Sequence, residues 1–282
     1  MNTENNQLSS VSIPGSRNKP LLLDIRTPKR TAKGTLLFLH GFKGFKDWGT
    51  FNLMADYFVE KGYCFVKFNF SYNGGTIEQP IDFPDEKAFG ENNLSTELND
   101  LSCIIDYLGD QELIFHTLSV IGHSRGGGIG ILGAAEDERI SNLITLASVS
   151  DFGRRMPDYK AIKTWELTGV LYILNSRTKQ NLPQFYQFYE DYQQNKSRLD
   201  ILKAARTLSI PFLIIHGTDD ETVKLSEAEE LKQANPDAEL LIIENANHTF
   251  NAYHPYELNV LPNETLKAFE GIERFLLKRI NG

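Results

Sequence analysis

Short apolar runs alternate with helical stripes along most of this chain, and that alternation constrains the fold more than any other feature. After the run Thr35–Leu39, apolar positions recur at helical spacing from Trp48 to Glu60. Unbroken apolar strands separated by helices are typical of a parallel sheet covered on both faces. We therefore predict an α/β fold with a mostly parallel central sheet and helices on both faces. The predicted strands are Thr35–Leu39, Tyr63–Phe70, Leu118–Ile121, Leu143–Val149, Phe212–His216 and Glu239–Ile243.

Three segments interrupt this alternation. The polar first twenty residues indicate one or two edge strands, the second near Leu21–Ile25. Ser71–Asn93 is rich in Gly, Pro, Asn and Asp, which predicts a long loop of the kind that is often functional. From Phe152 to about Leu208 no strand–helix pair of the expected length occurs, which predicts a mostly helical insertion. We expect one domain over residues 1–282, with the insertion at about 152–208.

Composition and charge exclude several classes of protein. The 282 residues include 29 basic and 37 acidic ones, for a net charge of -8, so we expect no nucleic-acid partner. Two cysteines, Cys64 and Cys103, make no disulfide framework, which favours a reducing compartment. Met1–Ser10 lacks the apolar core of a signal peptide, and no apolar run is long enough for a membrane span. A cytoplasmic protein with no membrane partner is the expectation, and the oligomeric state stays open.

The segment Gly122–Gly126, with the sequence G-H-S-R-G, matches the pattern G-x-S-x-G. It follows the strand Leu118–Ile121 and precedes a small-residue helix, which is the strand–turn–helix context of a nucleophilic serine. The flanking glycines are needed there because a side chain would clash with the neighbouring strand or helix. Ser124 is therefore the candidate nucleophile.

A serine hydroxyl is a poor nucleophile at neutral pH, so it needs a base within hydrogen-bond reach. Asp219 and Asp220 follow the strand Phe212–His216, and His248 follows the last strand. The carboxyl ends of parallel strands share one edge of a sheet, so these side chains are expected to meet Ser124 there. His254, six residues beyond His248, is the competing base.

These blocks resemble the α/β-hydrolase superfamily, in its esterase, dienelactone-hydrolase-like and peptidase-like branch. The resemblance runs from about Thr35 to the C-terminus. Its blocks are His40-Gly41-Phe42, the G-H-S-R-G segment, His216–Val223 and Ala246-Asn247-His248. It implies the order serine, acid, histidine. In the family pattern H-G-x-x-D-x-x-V the acid is the fifth position, which is Asp220 here, with Asp219 as the alternative.

The resemblance also implies an oxyanion hole made of two backbone N–H groups. One belongs to Arg125 and the other to Phe42. The Arg125 side chain has two interpretations: it pairs with a nearby carboxylate, or it faces an acidic group of the substrate. The other histidines near the motifs, His40 and His123 among them, are expected to pack and hydrogen-bond around the site rather than to transfer protons.

In the family that the chain resembles, an insertion after the strand that corresponds to Leu143–Val149 commonly forms a lid over the site. The insertion here is rich in aromatic residues, most of which are expected to pack the lid onto the body. Trp165, Tyr172 and Phe185 are the candidates for lining a substrate pocket. Such a pocket would favour an apolar or aromatic acyl group.

The resemblance implies hydrolysis of a carboxylic ester, of the feruloyl type among others, through an acyl-serine intermediate. A thioester, a lactone or a small peptide would suit the same machinery, and a non-catalytic binding module is the remote alternative. Gly128–Gly133 also matches the dinucleotide pattern G-x-G-x-x-G, with Asp151 about twenty residues on. Gly128 lies well beyond the strand end, however, so the expected cofactor is none. No metal motif appears, and a small-molecule ester is the expected partner.

Overall fold

A computed structural model describes residues 7–280 of the chain. The first six residues lie outside this range. They make up most of Met1–Ser10, the segment on which the signal-peptide expectation depends. The strands are β1 Gln7–Pro14, β2 Pro20–Thr27, β3 Thr35–Leu39, β4 Cys64–Asn69, β5 Leu118–His123, β6 Ile140–Leu146, β7 Val170–Leu174, β8 Asn181–Phe185, β9 Phe212–Gly217 and β10 Glu239–Ile243. The helices are α1 Phe51–Glu60, α2 Glu86–Glu91, α3 Leu94–Asp110, α4 Arg125–Glu136, α5 Tyr159–Thr168, α6 Gln187–Gln194, α7 Ile201–Thr207, α8 Leu225–Ala234 and α9 Asn263–Ile280.

Eight strands form one sheet in the order β1-β2-β4-β3-β5-β6-β9-β10. From β4 to β10 neighbouring strands run parallel, whereas β2 pairs antiparallel with β4 and with β1. The prediction of a mostly parallel central sheet is confirmed. The carboxyl ends of β3, β5, β9 and β10 therefore open on the same edge.

Helices cover both faces of the sheet because each inner strand alternates its side chains between two apolar cores. In β3, Leu37 and Leu39 join the core under α3, α4 and α8, while Leu36 and Phe38 join the core under α1 and α9. All five positions of β3 are buried, as expected for a strand covered on both sides.

Three elements differ from the sequence-based expectation. The predicted loop Ser71–Asn93 contains the short helix α2, whose N-cap Asp85 accepts the N–H of Ala88. The strand β6 begins three residues earlier than predicted, because its polar Asn142 is satisfied by Ser119 on β5 at 3.0 Å. The ribbon of β7 and β8 was not predicted, since Pro183 argues against a central strand but is tolerated in a two-stranded ribbon.

The chain between β6 and β9, residues 152–208, contains no strand of the main sheet among its described elements, and we call it the β6–β9 segment. It lies against α2 and α3: the ring of Phe185 packs on Gly90, and Gln187 bonds Asn93. The backbone N–H of Ser95 on α3 donates to the carboxylate of Asp191 on α6. In the described part of the chain, no helix is both long and apolar enough to cross a membrane.

Candidate active site

Ser124 occupies a sharp turn between β5 and α4. Its backbone has φ 56° and ψ -119°, a conformation that a residue other than glycine rarely adopts and that marks strained turns at functional sites. A Cβ at Gly126 would lie 2.5 Å from the carbonyl oxygens of Leu39 and His40, and one at Gly122 would overlap the backbone of Gly126. The close approach of α4 to β3 therefore requires Gly126, and the sharp turn from β5 into α4 requires Gly122, as the sequence indicated.

The sheet edge brings the three predicted side chains together. Ser124 Oγ lies 3.0 Å from His248 Nε2, and His248 Nδ1 lies 2.8 Å from Asp220 Oδ2. With its proton on Nδ1, His248 donates to the carboxylate and accepts from the serine hydroxyl. These side chains lie 28 and 124 residues apart in the chain, so only the parallel sheet places them in one contact.

Asp220 is buried and fully engaged as an acceptor. Its Oδ1 accepts the backbone N–H groups of Thr222 and Val223, both at 2.9 Å. Burial by itself raises the pKa of this carboxyl, but hydrogen bonds from His216 and His248 outweigh it and hold the pKa well below its usual range. Asp219 is exposed and accepts from Thr218, so the structure brings Asp220 and not its neighbour to the histidine.

Three further histidines hold the backbone of the site. His216 donates to the carbonyl of Val223 at 2.8 Å, and His123 donates to the carbonyl of His248 at 2.9 Å. His40 donates to the carbonyl of Gly41 and accepts the N–H of Phe70. Burial lowers the pKa of His40 to about 4 and that of His123 to about 3, so both rings stay uncharged near neutral pH.

His254, the competing base, lies elsewhere. Its Nδ1 accepts the N–H of Gly49 at 3.0 Å, and its ring packs on Phe45 and Trp48. It supports the loop after β3 rather than contacting Ser124.

Phe42 and Arg125, the two predicted oxyanion donors, flank the serine. The loop after β3 passes so close that a Cβ at Gly41 would lie 2.9 Å from Ser124 Cβ. Arg125 is the first residue of α4, so its N–H has no acceptor within that helix. Among residues 7–280, neither this N–H nor that of Phe42 has a hydrogen-bond acceptor. An oxyanion hole requires unengaged N–H groups of this kind, and that role stays a prediction for Phe42 and Arg125.

The side chain of Arg125 pairs with Glu97, a residue that sequence reasoning missed. Arg125 Nη1 lies 3.3 Å from Glu97 Oε1, and the guanidinium carbon lies 4.0 Å above the ring of Phe42 and 5.3 Å from that of Phe188. The signal was present in the sequence: Glu97 lies three residues after Leu94, on the apolar stripe of α3. A charged residue on a buried stripe requires a partner.

A closed ring of four charges supports the loop that carries Phe42. Lys46 Nζ lies 2.7 Å from Asp24 and 2.6 Å from Asp47. Lys67, fully buried on β4, bonds the same two carboxylates. The backbone N–H of Lys46 also donates to Asn69 at 2.7 Å. We call Asp24, Lys46, Asp47 and Lys67 the charge ring.

The predicted pocket residues take other places in this structure. Trp165 is 1% exposed inside the β6–β9 segment, where its indole donates to the carbonyl of Gln184. Tyr172 is 63% exposed on the outside of the segment, and Phe185 packs on Gly90. The aromatic ring of the segment that reaches Arg125 is that of Phe188.

The dinucleotide-like pattern Gly128–Gly133 lies wholly inside α4. A Cβ at Gly128 would lie 2.8 Å from Ile201, so close packing with α7 explains this small residue. Within the described range, no group of three His, Cys, Asp or Glu side chains is arranged to hold a metal ion.

Comparison with known proteins identifies the family. The family model for the alpha/beta hydrolase fold matches residues 34–185 and 158–255, well over half of the chain. The chain belongs to the α/β-hydrolase family. A search of functionally curated proteins found no match.

Solved α/β-hydrolase structures resemble the chain over nearly its whole length. Est1E from Butyrivibrio proteoclasticus has a TM-score of 0.71 at 18% identity, with 97% of this chain and 99% of that one covered. The esterase domain of a Rhodothermus marinus protein has a TM-score of 0.65 at 19% identity, with 97% and 98% covered. Mouse alpha/beta hydrolase domain-containing protein 10 has a TM-score of 0.71 at 16% identity, with 96% and 99% covered. At these identities the likeness establishes the fold.

Proposed function

We propose that this α/β-hydrolase cleaves carboxylic esters, with Ser124 as nucleophile, His248 as general base and Asp220 as the orienting acid. The observation that carries the proposal is the continuous contact from Ser124 through His248 to Asp220, at 3.0 and 2.8 Å. A hydroxyl, an imidazole and a carboxylate in this order form the arrangement that activates a serine for attack.

The reaction proceeds through an acyl-serine. Ser124 Oγ attacks the ester carbonyl while its proton passes to His248 Nε2, and the backbone N–H groups of Phe42 and Arg125 bind the oxyanion. His248 then returns the proton to the leaving alcohol. Water activated by the same histidine attacks the acyl-serine and releases the acid. Asp220 stays ionised throughout and holds the imidazole, because its pKa is depressed.

The structural relatives favour esters over other acyl compounds. The Rhodothermus marinus structure is of an esterase domain, and Est1E has been solved with ferulic acid bound. The β6–β9 segment, which brings Phe188 over Arg125, is proposed to act as the lid of the site. Thioesters and lactones use the same groups, so a substrate panel has to include them.

The test is labelling with a fluorophosphonate probe, followed by mass mapping of the modified peptide. We expect an adduct on Ser124, formed at least about 10³-fold more slowly in His248→Ala and also slowed in Asp220→Asn. The chain offers a matched control: Asp219→Asn changes the exposed competing acid and should retain labelling. Absence of an adduct on the folded protein overturns the proposal and favours a non-catalytic binding module.

A further inference from the structure

The Arg125 guanidinium is buried beside the nucleophile, yet little of it is satisfied by the protein. Its side chain is 14% exposed and makes one ion pair, with Glu97 at 3.3 Å. In the described part of the chain, its remaining N–H groups have no protein acceptor, and none of them is completely enclosed. A buried guanidinium normally has most of its donors engaged. These donors are therefore available to a bound molecule.

Glu97 neutralises this cation only in part. Its Oε1 is shared between Arg125 and the amide of Asn92, at 3.3 and 2.7 Å, while its Oε2 is buried without a partner among the described residues. Burial raises the pKa of Glu97 despite the nearby Arg125. The carboxylate is weakly held, and positive charge remains at Arg125.

Lys43 adds a second cation at the same ring. Its Nζ lies 5.8 Å from the centre of the Phe42 ring, which Arg125 covers at 4.0 Å. Burial and the charge of Arg125 lower the pKa of Lys43, and its hydrogen bond is to the carbonyl of Leu174 at 3.4 Å. A chain with a net charge of -8 thus concentrates positive charge at its proposed oxyanion loop. We call Lys43 and Arg125 the cation pair.

Among the described residues, the side-chain contacts of Arg125 and Lys43 do not include His248, the proposed proton donor to the leaving group. The leaving oxygen must lie at His248, which protonates it. The Arg125 side chain instead extends toward Glu97 on α3 and Phe188 on α6. The part of the substrate that reaches the cation pair is therefore the acyl part.

We propose that the site selects esters whose acyl part carries a carboxylate, which the cation pair binds. This inference rests on the proposed ester hydrolysis and specifies its substrate class. A carboxylate matches the fork of N–H donors on Arg125. It also balances the positive charge that Glu97 does not neutralise. Lys43 contributes as a point charge.

The test compares two 4-nitrophenyl esters, the hexanoate and the mono-ester of adipate. They share the leaving group and the chain length, and they differ in a terminal methyl against a terminal carboxylate. The chain is too long for efficient attack of its carboxylate on its own ester. We expect kcat/KM to favour the adipate by about ten-fold or more, mostly through KM. The preference should weaken with added salt.

Three variants locate the effect. Lys43→Met should reduce the adipate preference about five-fold, and Arg125→Gln, which keeps the backbone N–H, should abolish it. Lys160→Met removes the same charge from an exposed position on α5 and should keep the wild-type ratio. Lys43 is partly exposed, so its variant should fold even if the Arg125 variant does not.

The outcomes separate the two proposals. Equal use of both esters, or a preference that survives in Lys43→Met and Arg125→Gln, overturns the selection of anionic acyl groups and leaves Arg125 as packing for Phe42. A preference that appears only for 4-carboxyphenyl hexanoate moves the anion to the leaving group and overturns the acyl assignment. Hydrolysis of no ester overturns the proposed function itself.

Discussion

Two groups of charges adjoin the loop that carries Phe42, and they are built in opposite ways. In the charge ring each lysine bonds both carboxylates, and two positive charges face two negative ones. Arg125 bonds one oxygen of one carboxylate, and Lys43 bonds no carboxylate of the described residues. The balanced cluster stabilises the fold, whereas the incompletely paired Arg125 beside Ser124 keeps N–H donors for the proposed acyl carboxylate.

Energetics support this distinction. Buried ions lose several kcal/mol of hydration each, and only close partners offset that loss. The ring supplies those partners from β2, β4 and the loop after β3, which ties the loop to the sheet. At Arg125 the partners are incomplete, and the side chain keeps contact with solvent.

The largest expected effect comes from opening the charge ring. Lys67→Met leaves Asp24 and Asp47 with Lys46 alone, so we expect the free energy of unfolding to fall by about 3–5 kcal/mol. Urea denaturation measures it. The double variant Lys67→Met/Asp24→Asn removes one charge of each sign, so its free energy of unfolding should fall less than that of the single variant. Lys278→Met breaks an exposed ion pair and should stay within about 0.5 kcal/mol of wild type.

A smaller effect is expected where the charges are already unbalanced. Glu97→Gln preserves shape and leaves Arg125 in contact with solvent, so the free energy of unfolding should fall by about 1–3 kcal/mol. The same change should increase the adipate preference, because it removes the negative charge beside the cation pair. A loss of unfolding free energy as large as that of Lys67→Met would show that Arg125 and Glu97 form a structural pair like the charge ring. That result would contradict the proposed difference between the two groups of charges.

The smallest effect is expected for the buried histidines. They avoid the free-energy cost of burying a charge because their imidazoles stay uncharged. The pKa of His40 is about 4 in the folded protein against 6.5 for the free side chain. Between these values the unfolded chain binds a proton that the folded protein does not, so stability falls as pH is lowered. From pH 6 to pH 5 we expect His40 to contribute a loss of about 1 kcal/mol.

Urea titrations at the two pH values test this in His40→Asn, where the pH-dependent loss should shrink by that amount. His116→Asn changes an exposed histidine and should leave the dependence as in wild type. An unchanged dependence in His40→Asn would mean that this ring is not held neutral by burial.

Much of the site was predictable because its signals are local. A strand, a G-x-S-x-G turn and a small-residue helix specify where Ser124 lies, since each depends on residues a few positions apart. Acidic and histidine residues directly after strands are similarly local, and the parallel sheet then brings them to one edge. The choice of Asp220 over Asp219 came from the family pattern, and the contact with His248 agrees with it.

The role of Trp165 could not be predicted from such signals. A large aromatic residue in an insertion suits a pocket wall and a packing core equally well, and its periodicity does not distinguish them. Its place was decided by β8, whose carbonyl at Gln184 accepts the indole N–H. That ribbon forms only because two short runs pair with each other across a turn.

The sequence by itself determined the alternating architecture, the elbow at Ser124 and the edge on which acid and base would meet, because these follow from periods and turns within short stretches. Only the tertiary structure decided which charges are paired. Glu97 and Arg125 lie 28 residues apart, and Asp24 and Lys67 lie 43 apart. Whether a buried charge is fully paired with opposite charges depends on which elements pack against each other. No pattern within a short stretch of sequence predicts that packing.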